Sequence, residues 1–243
     1  MSDNHELEIA QLKAKIDTAI KILEWELSDM MGHVSARTPD GNRFLLRHIR
    51  PPLDPNVPED DVLEFDLSGK RLAGLREAGG SGFEIHFFTK PYAAKKEVGG
   101  VVHCHPPMAL ALVAAGQKLV GITHRHKFDE VPVVPWVYGS LPEHGEIVTK
   151  ALEKSCAVLI EGHGAVVTGE TIEAACVNTL QLERAAKMIL LAAPLGKIKP
   201  VEREAVQKFE SLVEVRQSKS GHALAEWRYY ERLLQKGERW SRI

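Results

Sequence analysis

Residues 101–107 read VVHCHPP, and the rest of the chain is organised around this run. Val101 and Val102 are β-branched and follow Gly99-Gly100, the pattern of a buried strand entered from a turn. Side chains alternate along a strand, so His103 and His105 project to one face and Cys104 packs on the other. Pro106 and Pro107 end the ladder. Two imidazoles spaced this way at a strand terminus are ready metal ligands. With eleven His in the chain a chance His-x-His is also open, and a second one occurs at His124 and His126. Further ligands elsewhere in the chain must decide.

His163 supplies one of these. It stands in EGHGAVV, directly after the apolar run Ala157-Val158-Leu159-Ile160. Glycine on both sides permits unusual backbone angles and strips steric cover from the imidazole, which can then face a cavity. A His bonded to its own tight turn is the plain alternative. Three neutral His with one coordination edge left open describe a catalytic rather than a structural metal site. Glu84 is the carboxylate candidate, placed at a helix start after the Gly-rich stretch 79–82, where a helix N-terminus favours negative charge. It reads either as an ordinary first-turn Glu or as a metal ligand or proton shuttle.

The remaining pattern is that of one α/β domain. Residues 6–31 carry an amphipathic helical repeat stopped by Gly32. Alternating segments at 33–37, 43–47 and 62–66 are strands, the first two joined by the turn Pro39-Asp40-Gly41-Asn42. Helices are expected from about residue 84 until Pro91 bends or ends them, and over 108–115, 141–152, 171–193 and 223–235, with Thr171 as an N-cap. Residues 131–136 are extended and Pro-rich, and 200–221 form a charged stretch. Helices flank the later strands, so a mainly antiparallel sheet covered by helices fits best. We treat 1–243 as a single domain with 200–243 as a C-terminal helical extension.

A net charge of −2 argues against a nucleic-acid or membrane-surface role. The longest apolar runs fall far short of a membrane span, and the N-terminus lacks the basic-then-apolar order of a signal peptide. Cys104, Cys156 and Cys176 have no metal-type spacing and read as reduced packing residues of a cytoplasmic protein.

Taken together, Gly32-His33-Val34-Ser35, Ser68-Gly69, Glu84, His103-x-His105-Pro106 and Gly162-His163-Gly164 before Thr171-x-Glu173-Ala174-Ala175 resemble the class II aldolase/adducin superfamily over about residues 8–195. The resemblance implies a three-layer α/β/α fold with a nine-stranded antiparallel sheet. It also implies a cyclic homotetramer with sites between subunits, and one divalent metal on His103, His105 and His163 with Glu84 as acid/base. Zn, Mn, Fe and Co all accept such ligands. Sugar-phosphate aldolases of this superfamily can draw an acid Tyr from a neighbouring subunit. Tyr229 or Tyr230 could fill that place, although packing explains them better.

The departures narrow the expected substrate. Sugar-phosphate members carry Gly-Asn-x-Ser and Ser-Ser-Glu, and here the Asn position is His33 while Gly82 and Phe83 precede Glu84. His33, Ser68, Ser81 and Arg125 are the candidate substrate contacts; a solvated surface explains Arg125 equally well. The sequence therefore looks closer to the superfamily's metal-dependent decarboxylases, acting on a hydroxylated aromatic dicarboxylate or related oxo-acid. The alternatives are an aldolase or epimerase on a sugar (phosphate), and a non-catalytic adducin-like module, which need not keep the three His.

Overall fold

The computed structural model describes residues 2–49, 52, 54–75, 84–214 and 221–237. Eight strands form one sheet: β1 (His33–Arg37), β2 (Arg43–His48), β3 (Leu63–Asp66), β4 (Arg71–Ala73), β5 (Gly100–Cys104), β6 (Val133–Val134), β7 (Ala157–Ile160) and β8 (Ala165–Gly169). Their spatial order is β4-β3-β2-β1-β5-β8-β7-β6. All neighbours are antiparallel except β6 and β7, which run parallel. The expected ninth strand is not found among the described residues. β4 has no signal in the sequence because it is a three-residue edge strand, exposed at every position and bulged against β3, so it shows no alternation of burial.

The helices are α1 (Ser2–Leu27), α2 (His86–Ala94), α3 (Pro107–Ala114), α4 (Pro142–Ala151), α5 (Ile172–Ala192), α6 (Arg203–Glu214) and α7 (Gly221–Lys236). Two cores lie on opposite faces of the sheet, giving three layers. On one face α1, α3, α5 and α7 bury Ile16, Leu23, Leu112, Ala175, Leu180 and Trp227 against Val34, Val102, Cys104 and Val167. On the other α2 and α4 bury Phe87, Phe88, Tyr92 and Val148 against Phe44, Phe65, Val101, Val158 and Val166. Alternation along β5 thus sends Cys104 to the first core and His103 to the second face.

Several boundaries differ from the sequence expectation. α1 ends at Leu27, not at Gly32, and Ser28 takes a left-handed φ of 55°. The chain then turns, and Met30 stands exposed. Gly32 instead permits a close approach, since a Cβ there would lie 2.8 Å from the His103 carbonyl oxygen. Residues 203–214, expected as a charged stretch, form α6. Pro91 sits inside α2, which ends three residues later. Thr171 caps α5 as expected, accepting from the Ala174 N–H at 3.2 Å. Trp227 and Tyr230 of α7 are buried, and the Tyr230 hydroxyl bonds to Arg184 of α5, so this helix packs within its own chain.

Candidate metal centre

β1 pairs with β2 on one side and β5 on the other, and the register sets His33 opposite both His48 and His103. The three imidazoles therefore stand side by side across the sheet, with ring centroids 4.1 Å apart for His48–His33 and 5.9 Å for His33–His103. His105 follows just beyond β5. The turn from β7 to β8 delivers His163, and both of its glycines are required. Gly162 has φ +63°, and a Cβ on Gly164 would lie 2.6 Å from the Cys104 carbonyl oxygen and 3.1 Å from the His105 ring. Ring centroids are 4.9 Å apart for His103–His105, 5.1 Å for His103–His163 and 5.7 Å for His105–His163.

Each of the three imidazoles has its Nδ1 engaged by an acceptor. His103 Nδ1 is 2.9 Å from the Ala165 carbonyl oxygen, and His163 Nδ1 is 2.8 Å from that of Val137. His105 Nδ1 lies 3.2 Å from Asp29 Oδ2. A carbonyl or carboxylate takes a proton and gives none, so the neutral tautomer carries hydrogen on Nδ1 and its lone pair on Nε2. Ligand atoms of the three His lie within 4.8 Å of one another.

Glu84 closes the group. Its Oε1 is 3.3 Å from His163 Nε2 and its Oε2 is 2.8 Å from His103 Nε2. With its hydrogen on Nδ1, His103 Nε2 has none to give to the carboxylate and stays buried without a hydrogen-bond partner. Lone pairs and a carboxylate converging in a buried space repel unless a cation lies among them. The donor set is thus the one a divalent metal takes, and its outer partners are those that orient ligating His. Without metal, His163 is the group best placed to hold a proton. Burial lowers its pKa, but the bond and charge of Glu84 outweigh this and raise it. Burial pushes His103 down, beyond what Glu84 restores. Burial would raise Glu84, yet His103 and His163 hold it well below the usual carboxylate range. The side chain of His105 is 27% exposed and that of His103 0%, so the cluster opens on the His105 side.

Glu84 is not in the first turn of a helix, as the sequence suggests. It precedes Ile85, the N-cap of α2, in a left-handed φ of 42°. Its carbonyl accepts from the Phe87 N–H at 2.8 Å. His33 does reach the site, since its ligand atom lies within 4.8 Å of those of Glu84 and His103. Ser35 and Arg37 share its face but are committed elsewhere. The Ser35 hydroxyl donates to the Val101 carbonyl, and Arg37 donates to the carbonyls of Gly41, Tyr92, Lys95 and Val98. Ser68 is exposed and its Oγ donates to Asp66 Oδ1 at 2.6 Å. The turn it shares with Gly69 nevertheless abuts α2, because a Cβ on Gly69 would lie 3.3 Å from Ile85 and Thr89. Arg125 is exposed in a turn where its N–H meets Thr123 Oγ1. Ser81, Gly82 and Phe83 lie outside the described residues. The second His-x-His is split by burial: His124 is exposed, and buried His126 accepts the Ile122 N–H through Nδ1.

Two site residues have no signal in the sequence. Asp29, buried, accepts the backbone N–H of His105 at 2.7 Å as well as its ring nitrogen. The Gly139 N–H donates to Glu84 Oε1 at 3.2 Å.

The family model for the class II aldolase and adducin N-terminal domain matches residues 18–190. Meiotically up-regulated gene 14 protein of Schizosaccharomyces pombe is 28% identical over 178 residues, 69% of this chain and 66% of that protein. A 3-oxo-tetronate 4-phosphate decarboxylase of Pectobacterium atrosepticum is 29% identical over 53% of this chain and 60% of its own length. A 3,4-dihydroxyphthalate decarboxylase of Arthrobacter keyseri is 27% identical over 69% and 72%. The chain thus spans just under two thirds of the first two relatives. An L-fuculose 1-phosphate aldolase structure superposes with a TM-score of 0.69 at 20% identity, covering 81% of this chain and 93% of that one, and agrees with the fold described above. No helix among the described residues is long and apolar enough to cross a membrane.

Proposed function

This chain belongs to the class II aldolase and adducin N-terminal domain family, and on that premise we propose that it is a metal-dependent carbon–carbon lyase, specifically a decarboxylase of a hydroxylated aromatic dicarboxylate or related oxo-acid. The observation that carries the proposal is the convergence of three Nδ1-tied imidazoles, two of which, His103 and His163, stand against the buried carboxylate of Glu84. A non-catalytic module has no need of this arrangement. His103, His105 and His163 hold the divalent ion, which, when bound, supplies Lewis-acid stabilisation of the negative charge left as the bond breaks.

The chain's own residues do the rest. Glu84, ionised and within reach of two imidazoles, accepts the proton of a substrate hydroxyl and returns it to the carbon that carbon dioxide leaves. The exposed side of His105 admits the substrate, while buried His103 and Phe87 exclude water beneath it. Beside Glu84 stands His33, backed by His48 and edge-on to Phe88. These rings are buried, so the floor beside Glu84 is aromatic and offers little to a phosphate, which favours a planar acid. Ser68 has already given its hydroxyl hydrogen to Asp66, which weakens it as a phosphate donor.

Two relatives named as decarboxylases support carbon dioxide loss, one of them named for an aromatic substrate. The second reading, an aldolase or epimerase on a sugar phosphate, draws on the Ser68-Gly69 turn packed against α2. A side-by-side assay with one metal-loaded preparation tests them. Carbon dioxide release from ortho-hydroxy aromatic dicarboxylates, with little turnover of fuculose- or ribulose-type phosphates, is expected; the reverse pattern installs the aldolase. We also propose that the enzyme is a homotetramer, and light scattering that showed only monomer would contradict this.

A further inference from the structure

The three proposed ligands are not held alike. His103 and His163 give their Nδ1 hydrogens to neutral backbone carbonyls, whereas His105 gives its own to a carboxylate. That carboxylate, Asp29, is grasped from several sides. Oδ2 takes the His105 backbone N–H at 2.7 Å, Oδ1 takes the Met31 N–H at 2.8 Å, and the His105 ring nitrogen sits 3.2 Å and 3.3 Å from the two oxygens. The residue is 7% exposed. Its place is set by the sharp turn after α1, where Ser28 is left-handed and Gly32 fits only because it lacks a side chain. A Cβ on Gly32 would lie 2.9 Å from Asp29 Oδ2. On its outer side Asp29 lines a cleft of about 710 Å³ between the ends of α1 and α7, with Trp25, Met30 and Leu234.

We propose that Asp29 is a positioning residue of the metal centre, fixing His105 in the Nδ1–H tautomer and in the ring orientation that leaves Nε2 free for the metal. A carboxylate only accepts, so the ring hydrogen stays on Nδ1 and the lone pair on Nε2. Asp29 also locks the rotation of the ring, because the same carboxylate holds the backbone of the residue it orients. His105 is the most exposed of the three ligands, so it has the least packing to fix it and the most need of such a brace.

This inference rests on the metal reading above, and the experiment separates the two. Zinc binding is measured by competition with a chromophoric chelator for the wild-type chain and for Asp29→Asn, whose amide is close to isosteric but uncharged. Removing an outer partner of a ligating His lowers metal affinity by about 10–100-fold, and that loss is expected, together with a shifted visible spectrum of the cobalt-loaded variant. Unchanged affinity and spectrum overturn the role of Asp29 while leaving the metal site standing; a wild-type chain that binds no zinc overturns both. A second measurement needs no variant. In zinc-loaded protein with 15N-labelled His, His105 is expected to carry a protected hydrogen on Nδ1 and to bind the metal through Nε2. A His105 ring that binds zinc through Nδ1 overturns the proposal.

Discussion

The Gly139 N–H donates to Glu84 Oε1 at 3.2 Å, and the absence of a side chain on Gly139 is what lets the two meet. A Cβ there would lie 2.5 Å from Glu84 Cβ and 2.7 Å from the Glu84 carbonyl oxygen. Both neighbours are close to the main chain and cannot swing aside. In return, the Gly139 carbonyl accepts the His86 N–H at 2.9 Å, so the same residue pins the start of α2.

Gly139→Ala should therefore displace Glu84 rather than unfold the chain. Overpacking of this kind costs about 1–3 kcal/mol. A misplacement of about 1 Å at a reacting group can cost about a hundredfold in rate. A lowered melting temperature with a larger proportional loss of turnover, and metal content unchanged, is the expected result. Full turnover in the variant would show that Glu84 has no demanding position to keep.

Replacing His103 tests the metal set at its centre. The residue is fully buried, touches Glu84 and packs against Phe87. His103→Ala should lose most bound metal and activity, with the cooperative unfolding transition retained because both hydrophobic cores stay intact. Elemental analysis after gel filtration checks it. Metal retained at full occupancy would remove His103 from the set.

The acid limb of stability should carry the signature of His126, away from the site. Burial, with a smaller contribution from His124, lowers its pKa from 6.5 to about 4, and its Nδ1 must stay unprotonated to accept the Ile122 N–H. The folded state thus binds this proton less readily than the unfolded chain. Stability contributed by the neutral ring is complete above about pH 6.5 and is lost as pH falls from there towards 4. At about 1.36 kcal/mol per unit the effect is at most roughly 3 kcal/mol. Denaturant melts of wild type and His126→Asn across about pH 4–7 should show a shallower slope for the variant. Equal slopes would place the acid sensitivity elsewhere.

What could be seen in the sequence was whatever a few adjacent residues could specify. VVHCHPP carries strand, face and terminus within seven positions, and Gly162-His163-Gly164 carries its own backbone freedom. The fold class followed from such local periods. Asp29 and Gly139 were hidden because their partners, His105 and Glu84, lie 76 and 55 residues away along the chain. Nothing near Asp29 in sequence marks it as other than a polar residue after a helix. His33 was singled out for replacing an Asn, but the row His48–His33–His103 exists only through the register of three strands, which no short motif encodes. Ser35 and Arg37 show the converse. They occupy the face the alternation assigns them, and backbone carbonyls claim them before any substrate can.

Glu84→Gln gives the sharpest test of the chemistry. The amide keeps size and shape and still accepts the Gly139 N–H through its oxygen, but it carries no charge and cannot take up a proton. Without metal, His103 and His163 more than offset the cost of burying the carboxylate and hold it below the usual carboxylate range. It is therefore ready to accept a hydroxyl proton at the start of turnover and to release it to carbon once the bond has broken. Removing only that capacity should lower kcat by about 10²–10⁴-fold, the usual contribution of a positioned acid or base. KM should change far less, because in the proposed reading the metal holds the substrate. The split matters: an equal rise in KM with kcat preserved would mean that Glu84 only helps to hold the substrate. Metal content of the variant must be measured alongside, since loss of metal would assign Glu84 to the ligand set instead of proton transfer.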